Sequence, residues 1–160
     1  MIRAPTPDDI PDLARIHVQA WAETYAGIVP DAVIARFDIA FRTRQWQGAL
    51  AREDLRTAYA PGQGFAQVGP QRDPRDRADW PEELYAIYLR DAAKGRGLGR
   101  ALLRAVLGDR PVTALVLEGN DAALGFYQAT GARRLDTRRF DEDGFAGIEH
   151  LVGWTPPFTV

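Results

Sequence analysis

The chain has no cysteine, which excludes disulfides, a thiolate metal site and a cysteine nucleophile. It has a single lysine, Lys94; every other basic side chain is arginine. It has no excess of positive charge, and a formal net charge of −2 is at odds with the basic surface of a general nucleic-acid binder. It has no apolar run near membrane-spanning length and no charged-then-apolar leader, so no membrane partner is expected and the expected location is cytoplasmic. Internal repeats and low-complexity tails are also missing. The two histidines, His17 and His150, stand apart without neighbouring ligands, and no metal is expected. What remains is ordinary globular composition, 46% hydrophobic and 26% charged, and 160 residues suffice for one core, so 1–160 reads as a single domain.

Two phosphate-binding signatures are missing as well, although one stretch invites them. Residues 83–107 read ELYAIYLRDAAKGRGLGRALLRAVL. The run 84–89 is apolar and aromatic, as a strand would be. From Leu98 onward, Leu98, Ala101, Leu102, Ala105 and Val106 recur at helical spacing, with Arg100 and Arg104 on the other face. Between them Lys94, Gly95, Arg96, Gly97, Leu98, Gly99 and Arg100 form a glycine-rich strand-to-helix turn. The free N–H groups and partial positive charge of a helix start can hold a phosphate there, and Lys94, Arg96 and Arg100 add charge. No Gly-x-x-x-x-Gly-Lys-Ser/Thr run exists, and Gly-x-Gly-x-x-Gly fails because Arg100 or Leu102 falls at its last position. By spacing alone the turn is either a diphosphate cradle or a tight structural connection.

The rest of the chain supplies an α/β pattern. Residues 1–4 suit an edge strand. Thr6, Pro7, Asp8 and Asp9 announce a helix carrying Ile10, Leu13, Ile16, His17, Ala20 and Trp21 on one face. Further helices are expected from Pro30 and over 42–54, and the break TYAGIVPD between the first two is either a packing corner or a wall of an acceptor pocket. A hairpin over 55–68 turns at Pro61-Gly62-Gln63-Gly64. The mixed-charge run QRDPRDRAD reads as a solvated connection. Residues 112–118 suit a buried strand parallel to 84–89. A helix over 122–130, capped by Gly119-Asn120-Asp121, and two strands over 133–140 and 145–154 around a turn at 141–144 complete the order. The exposed edge of the final strand would permit two copies to pair.

Two motifs together identify a family resemblance. Lys94, Gly97 and Gly99 fill Gln/Arg-x-x-Gly-x-Gly/Ala, with lysine at the first position. Asn120, Ala123, Phe126, Tyr127 and Gly131 reproduce Asn-x-x-Ala-x-x-Phe-Tyr-x-x-x-Gly. In this order, with a strand between them, they resemble the coenzyme A pyrophosphate motif and the following helix motif of the GNAT acyltransferase superfamily. The runs WAETYAGIVPD, FAQVGPQRD and ELYAIYL are similar to a bacterial subgroup of it. The resemblance implies the acyl-CoA N-acyltransferase fold, an α/β structure with a mixed central sheet of about seven strands flanked by about four or five helices.

It also implies transfer of an acetyl group from acetyl-CoA to a primary amine by direct attack in a ternary complex. In that reading the backbone of Ile87 and Leu89 takes the pantetheine arm. The 94–100 turn holds the diphosphate, and Asn120 hydrogen-bonds the arm. Tyr127 occupies the family's general-acid position. Glu83, eleven residues before Lys94, stands at the offset of the catalytic glutamate of the histone acetyltransferase branch. It is otherwise a strand-start acid facing solvent. The ribosomal-protein branch places its base five residues before the motif asparagine, where this chain has Leu115. Glu118 and Glu23 are reserve candidates. Asp91 replaces a proline common at the strand's end. Trp21, Tyr25 and Tyr85 are candidates for an acceptor pocket, because aromatic faces attract ammonium groups. The expected acceptor is a small or amino-acid-like amine. The alternative is a non-catalytic acyl-CoA-binding sensor, which needs the cradle but neither Tyr127 nor Glu83.

Overall fold

Local signals start the first helix where the sequence places it. The Thr6 N–H donates to Asp9 Oδ2 at 2.7 Å, and Arg3 pairs with the same carboxylate, fixing a short turn Pro7–Asp9 ahead of helix α1 (Ile10–Tyr25). Helix α2 (Asp31–Arg36) follows Pro30, and α3 (Ile39–Leu50) begins where Asp38 Oδ1 accepts from the Phe41 N–H at 2.8 Å. Strands β1 (Arg56–Ala60) and β2 (Gly64–Pro70) form the expected hairpin, with Gly62 in the left-handed conformation its turn requires. Then come β3 (Glu82–Leu89), α4 (Leu98–Val106), β4 (Val112–Leu117), α5 (Asp121–Ala129), β5 (Arg133–Glu142) and β6 (Phe145–Trp154). The computed structural model describes every residue except Asp143, so that part of the expected 141–144 turn lies outside the described residues.

The strand order is β1-β2-β3-β4-β6-β5, a mixed sheet of six strands. The expected seventh, over 1–4, is reduced to one bridge in which Arg3 and Tyr59 exchange backbone hydrogen bonds of 3.0 and 2.8 Å. Pro5 has no N–H to continue it. The final strand is not the edge: β6 pairs antiparallel with β4 on one side and β5 on the other, which leaves β5 outermost. A ten-residue hairpin partner for β6 occupies the edge that sequence order alone assigned to the last strand.

The chain forms two compact units. The first comprises Met1–Gly69 and Tyr85–Val106. Its core joins Leu13 and Ile16 of α1, Trp46 of α3, Tyr59 of β1 and Phe65 of β2. Asp12 ties α1 to the hairpin by accepting from the Tyr59 hydroxyl and from the Gly62 N–H at 2.8 Å. His17 is buried inside this core, its ring among Trp46, Phe65 and Tyr88, and its Nδ1 accepts from Trp46 Nε1 at 3.2 Å.

Burial, reinforced by the charge of Arg42, pushes His17 down to about 2. The unfolded chain therefore takes a proton below about 6.5 that the folded chain refuses, and stability falls as the pH falls. Below pH 6.5 each pH unit costs up to about 1.4 kcal/mol, or roughly 1 kcal/mol by pH 5.5, where ordinary carboxylates are still ionised. His17→Asn keeps an acceptor for Trp46 but cannot titrate. Urea midpoints measured between pH 6.5 and 5.5 should fall for the parent and stay more nearly flat for the variant; equal slopes would refute the assignment.

The second unit comprises Pro70–Leu84 and Leu107–Val160. Its strands β4, β6 and β5 pair from Val112 opposite Trp154 to Leu117 opposite Glu149, and from Arg133 opposite Gly153 to Glu142 opposite Phe145 with a register shift between Arg134 and Asp136. Helix α5 is fastened to β6, because Trp154 Nε1 donates to Thr130 Oγ1 at 3.1 Å and the Tyr127 ring meets the Trp154 ring edge-on at 5.1 Å. The mixed-charge run is mostly exposed, as a solvated connection would be, but it is pinned at two buried side chains, Gln71 and Asp76. Gln71, buried, donates to Thr113 Oγ1 at 2.8 Å and to the Trp80 carbonyl at 3.1 Å. Arg138 of β5 holds Asp76 with two bonds of 2.7 Å and also meets Asp136.

Candidate active site

The cradle residues all lie in the first unit. Strand β3 ends at Leu89, and a short turn Asp91–Ala93 delivers the chain to Lys94. Gly95 and Gly97 have φ of +78° and +80°, the left-handed region that other residues rarely enter, and a Cβ on either would meet nothing within 4 Å. Residues 94–97 are exposed, and α4 starts directly after them, with the Ala101 N–H closing the first turn on the Gly97 carbonyl at 3.1 Å. The first N–H groups of a helix have no partner inside it. The bend thus combines open space, a helix start and the cations of Lys94, Arg96 and Arg100, a donor set that fits a diphosphate. Lys94 Nζ reaches Asp91 Oδ1 at 2.7 Å, so the lysine that departs from the Gln/Arg pattern has a local counter-ion. At the other end of α4, Arg56 Nε donates to the Val106 carbonyl at 3.0 Å and satisfies one of the helix's last acceptors.

Strand alternation separates the acceptor candidates. Trp21 and Tyr25 stack at 4.6 Å between ring centroids, and Tyr25 Oη lies 3.3 Å from Tyr88 Oη. Tyr85 is three residues from Tyr88 on β3 and projects from the opposite face, where a Cβ on Gly69 would come within 2.9 Å of its ring. The structure therefore groups Trp21 and Tyr25 with Tyr88, and places Tyr85 beside Gly69. Ile87 and Leu89, also half-buried, flank Tyr88. Glu23 is fully engaged: its carboxylate accepts from Arg90 Nε at 3.1 Å and from the Asp91 N–H at 2.9 Å, fastening α1 to the end of β3. This clamp is what stands where the family often has proline.

The sequence reading missed one residue of this unit. Arg42 of α3 is 5% exposed, beneath the rings of Trp21, Phe37 and Phe41. Its signal was available: Arg42 and Trp46 are four apart on one helical face, and they are the two buried residues of α3.

The remaining candidates lie in the second unit. Glu83 is 3% exposed, which rules out the solvent-facing alternative. It is paired in register with Thr113, and its carboxylate accepts three bonds from Arg72: the backbone N–H at 3.2 Å, Nε at 3.1 Å and Nη2 at 2.6 Å. Asn120 caps α5, its Oδ1 accepting from the Ala123 N–H at 3.2 Å. Tyr127 is 7% exposed and packs on Trp154 and Phe126. Glu118 is exposed, 4.0 Å from His150. His150 also meets Arg134 at 2.7 Å and Thr137 at 3.1 Å. Among the described residues no group of three His, Asp or Glu side chains could hold a metal, and no helix is long and apolar enough to cross a membrane.

A mixed six-stranded sheet flanked by five helices, with a glycine bend leading from β3 into α4, is the fold of acyl-CoA N-acyltransferases. The model of the acetyltransferase (GNAT) family matches residues 39–132, and the chain belongs to that family. It is accordingly an acetyltransferase that uses acetyl-CoA as donor. A curated relative, the N-acetyltransferase YuaI of Bacillus subtilis, is 30% identical over 164 aligned residues covering 96% of this chain and 91% of that protein. The probable N-acetyltransferase Rv2775 of Mycobacterium tuberculosis is 26% identical over 92% of this chain and 87% of its own length. Among solved structures, the yncA acetyltransferase of Salmonella typhimurium with acetyl-CoA superposes with a TM-score of 0.70 at 20% identity, covering 97% of this chain and 92% of that one.

Proposed function

We propose that the chain is an N-acetyltransferase for the primary amine of a small acceptor. The single observation that carries this reading is the exposed 94–97 bend, whose two left-handed glycines leave the start of α4 open to an anion. In this reading Gly95, Arg96, Gly97, Leu98, Gly99 and Arg100 hold the diphosphate of acetyl-CoA, with Lys94 and its Asp91 counter-ion at the entrance. The backbone of Ile87 and Leu89 aligns the arm as an added strand would, and Asn120 contributes a side-chain amide beyond its capping role. Bound acetyl-CoA supplies the activated acyl group.

The chain's own residues move the protons. An amine reaches the protein mostly as an ammonium ion and needs a carboxylate to take one proton. Glu83 takes it, directly or through a water, oriented by three bonds from Arg72. Tyr127 Oη is the proton donor for the departing sulfur. Trp21, Tyr25 and Tyr88 receive the acceptor, their aromatic faces suiting an ammonium group. Tyr85 is set apart from them by the alternation of β3.

Because the chain has no cysteine, released coenzyme A can be followed with a thiol reagent free of protein background. Acetyl-CoA with a panel of primary amines should give amine-dependent thiol release. Gly97→Val, which forces a β-branched residue into the left-handed region beside the diphosphate, should weaken coenzyme A binding at least about tenfold by calorimetry at a temperature where the variant is still folded, with a thermal midpoint lower by only a few degrees. Tight binding without transfer to any amine would favour the sensor reading instead. Binding unchanged in Gly97→Val would remove the cradle from the mechanism.

A further inference from the structure

We propose that Arg42 anchors a carboxylate of the acceptor, so that the amine acetylated here belongs to an amino-acid-like molecule and not to a polyamine or a neutral amine. The inference rests on the acetyltransferase reading above. Buried charges in folded proteins are ordinarily paired with an opposite charge, and this chain follows the rule elsewhere: buried Glu83 faces Arg72, and buried Asp76 faces Arg138. Arg42 is the exception. It is 5% exposed, donates from Nη1 to the neutral Gln45 Oε1 at 2.8 Å, and has a buried Nε with no acceptor. Among the described residues no carboxylate pairs with it.

What surrounds the guanidinium is aromatic. Its carbon lies 4.8 Å from the Phe37 ring centre, 5.5 Å from Phe41 and 5.6 Å from Trp21. These π faces attract the cation but accept nothing from its in-plane N–H groups. Burial lowers the Arg42 pKa to about 10, and the hydroxyls of Tyr88 and Tyr25 are near enough to feel its charge. Those hydroxyls, 3.3 Å apart, belong to half-buried rings, as does Trp21. The cluster is thus an aromatic box around a buried cation with an unused N–H, with two tyrosine hydroxyls nearby.

The chemistry selects the ligand. One planar guanidinium with neutral hydroxyls matches a singly charged planar oxyanion, and a carboxylate offers two oxygens in the geometry of the guanidinium fork. A phosphate dianion would call for a second cation or a run of backbone N–H groups, and the box has neither. Tyr88 also joins this box to the donor side of the same unit, since it sits between Ile87 and Leu89.

The test uses matched acceptors: leucine against leucinamide, and 4-aminobutanoate against butylamine, each with acetyl-CoA and thiol detection. Wild-type protein should prefer the carboxylate member by about tenfold to a hundredfold in kcat/KM, the range of a hydrogen bond to a charged group. Arg42→Met, an apolar side chain of similar length, should erase that ratio, which a general loss of activity would not move. Arg42→Lys keeps the charge without the fork and should retain part of it, which serves as well if the methionine variant folds poorly. Calorimetric titration of leucine and leucinamide into the coenzyme A-bound protein gives a readout without turnover: leucine binding should be lost in Arg42→Met. Equal kcat/KM for the paired acceptors, a preference that survives Arg42→Met, or leucine binding indifferent to that change would overturn the proposal. Absence of transfer to every amine would count against the acetyltransferase reading alone, and the titration would still decide the role of Arg42.

Discussion

Replacing Tyr127 by phenylalanine is expected to lower kcat by about a hundredfold or more, with a native-like fold. The expectation separates two jobs that one side chain holds. The ring packs edge-on against Trp154 and tilted against Phe126, and α5 is fastened independently by the Trp154–Thr130 hydrogen bond. Phenylalanine preserves all of that, so only the hydroxyl and its hydrogen bonding are lost, at a cost to stability of about 1 kcal/mol. Loss of a positioned general acid typically costs about 10²–10⁴ in rate. Single-turnover transfer from acetyl-CoA to an active amine reads the chemical step, and calorimetry reads coenzyme A binding, which should be little changed. A variant that turns over within a few-fold of the parent would reduce Tyr127 to packing and send the search for the proton donor elsewhere.

The second large effect concerns stability. Arg138→Ala should destabilise the chain by about 3 kcal/mol, because it strands Asp76, which is buried. Arg138 is the cation that several carboxylates share. Asp76 takes both of its terminal nitrogens, Asp136 takes Nε at 2.9 Å, and Asp73 approaches at 3.4 Å. These partners hold the Arg138 pKa above its ordinary value, and Asp73, bonded mainly to Arg75, is pulled down to about 2. Guanidinium chloride unfolding should show the loss as a lower midpoint with an unchanged slope. Asp76→Asn in the Arg138→Ala background removes the stranded charge and should recover part of it. A loss below 1 kcal/mol would mean that Gln71, and not the arginine, holds the 71–80 segment in place.

How far the sequence could be read depended on how local each signal was. The glycine bend ahead of α4 was legible because left-handed glycines and a helix start are properties of a few consecutive residues. The β1–β2 hairpin was legible for the same reason, from Pro61-Gly62-Gln63-Gly64. Glu83 was found by its offset from Lys94, but its burial was not, since that depends on Arg72 in a loop whose mixed charges resemble a solvated tether. Alternation along β3 put Tyr85 and Tyr88 on opposite faces, yet only the packing of Trp21 and Tyr25 from α1 shows which tyrosine joins them. Arg42 was hidden for the most general reason. An arginine on a helix is expected to reach water, and here three rings from α1, the α2–α3 junction and α3 close over it. Sheet edges failed because strand order in space, with β6 inside β5, is a matter of tertiary pairing.

The carboxylate of Glu23 has a consequence for how such an enzyme can change. It bolts α1 to the end of β3 through Arg90 and the Asp91 N–H, using none of the side chains of the aromatic box. Those side chains are thereby released from scaffolding duty at that junction. On the proposed roles, mutation can retool them for a new acceptor while the bend assigned to the donor stays where it is, so appetite for one molecule and hold on the other can drift apart over evolutionary time.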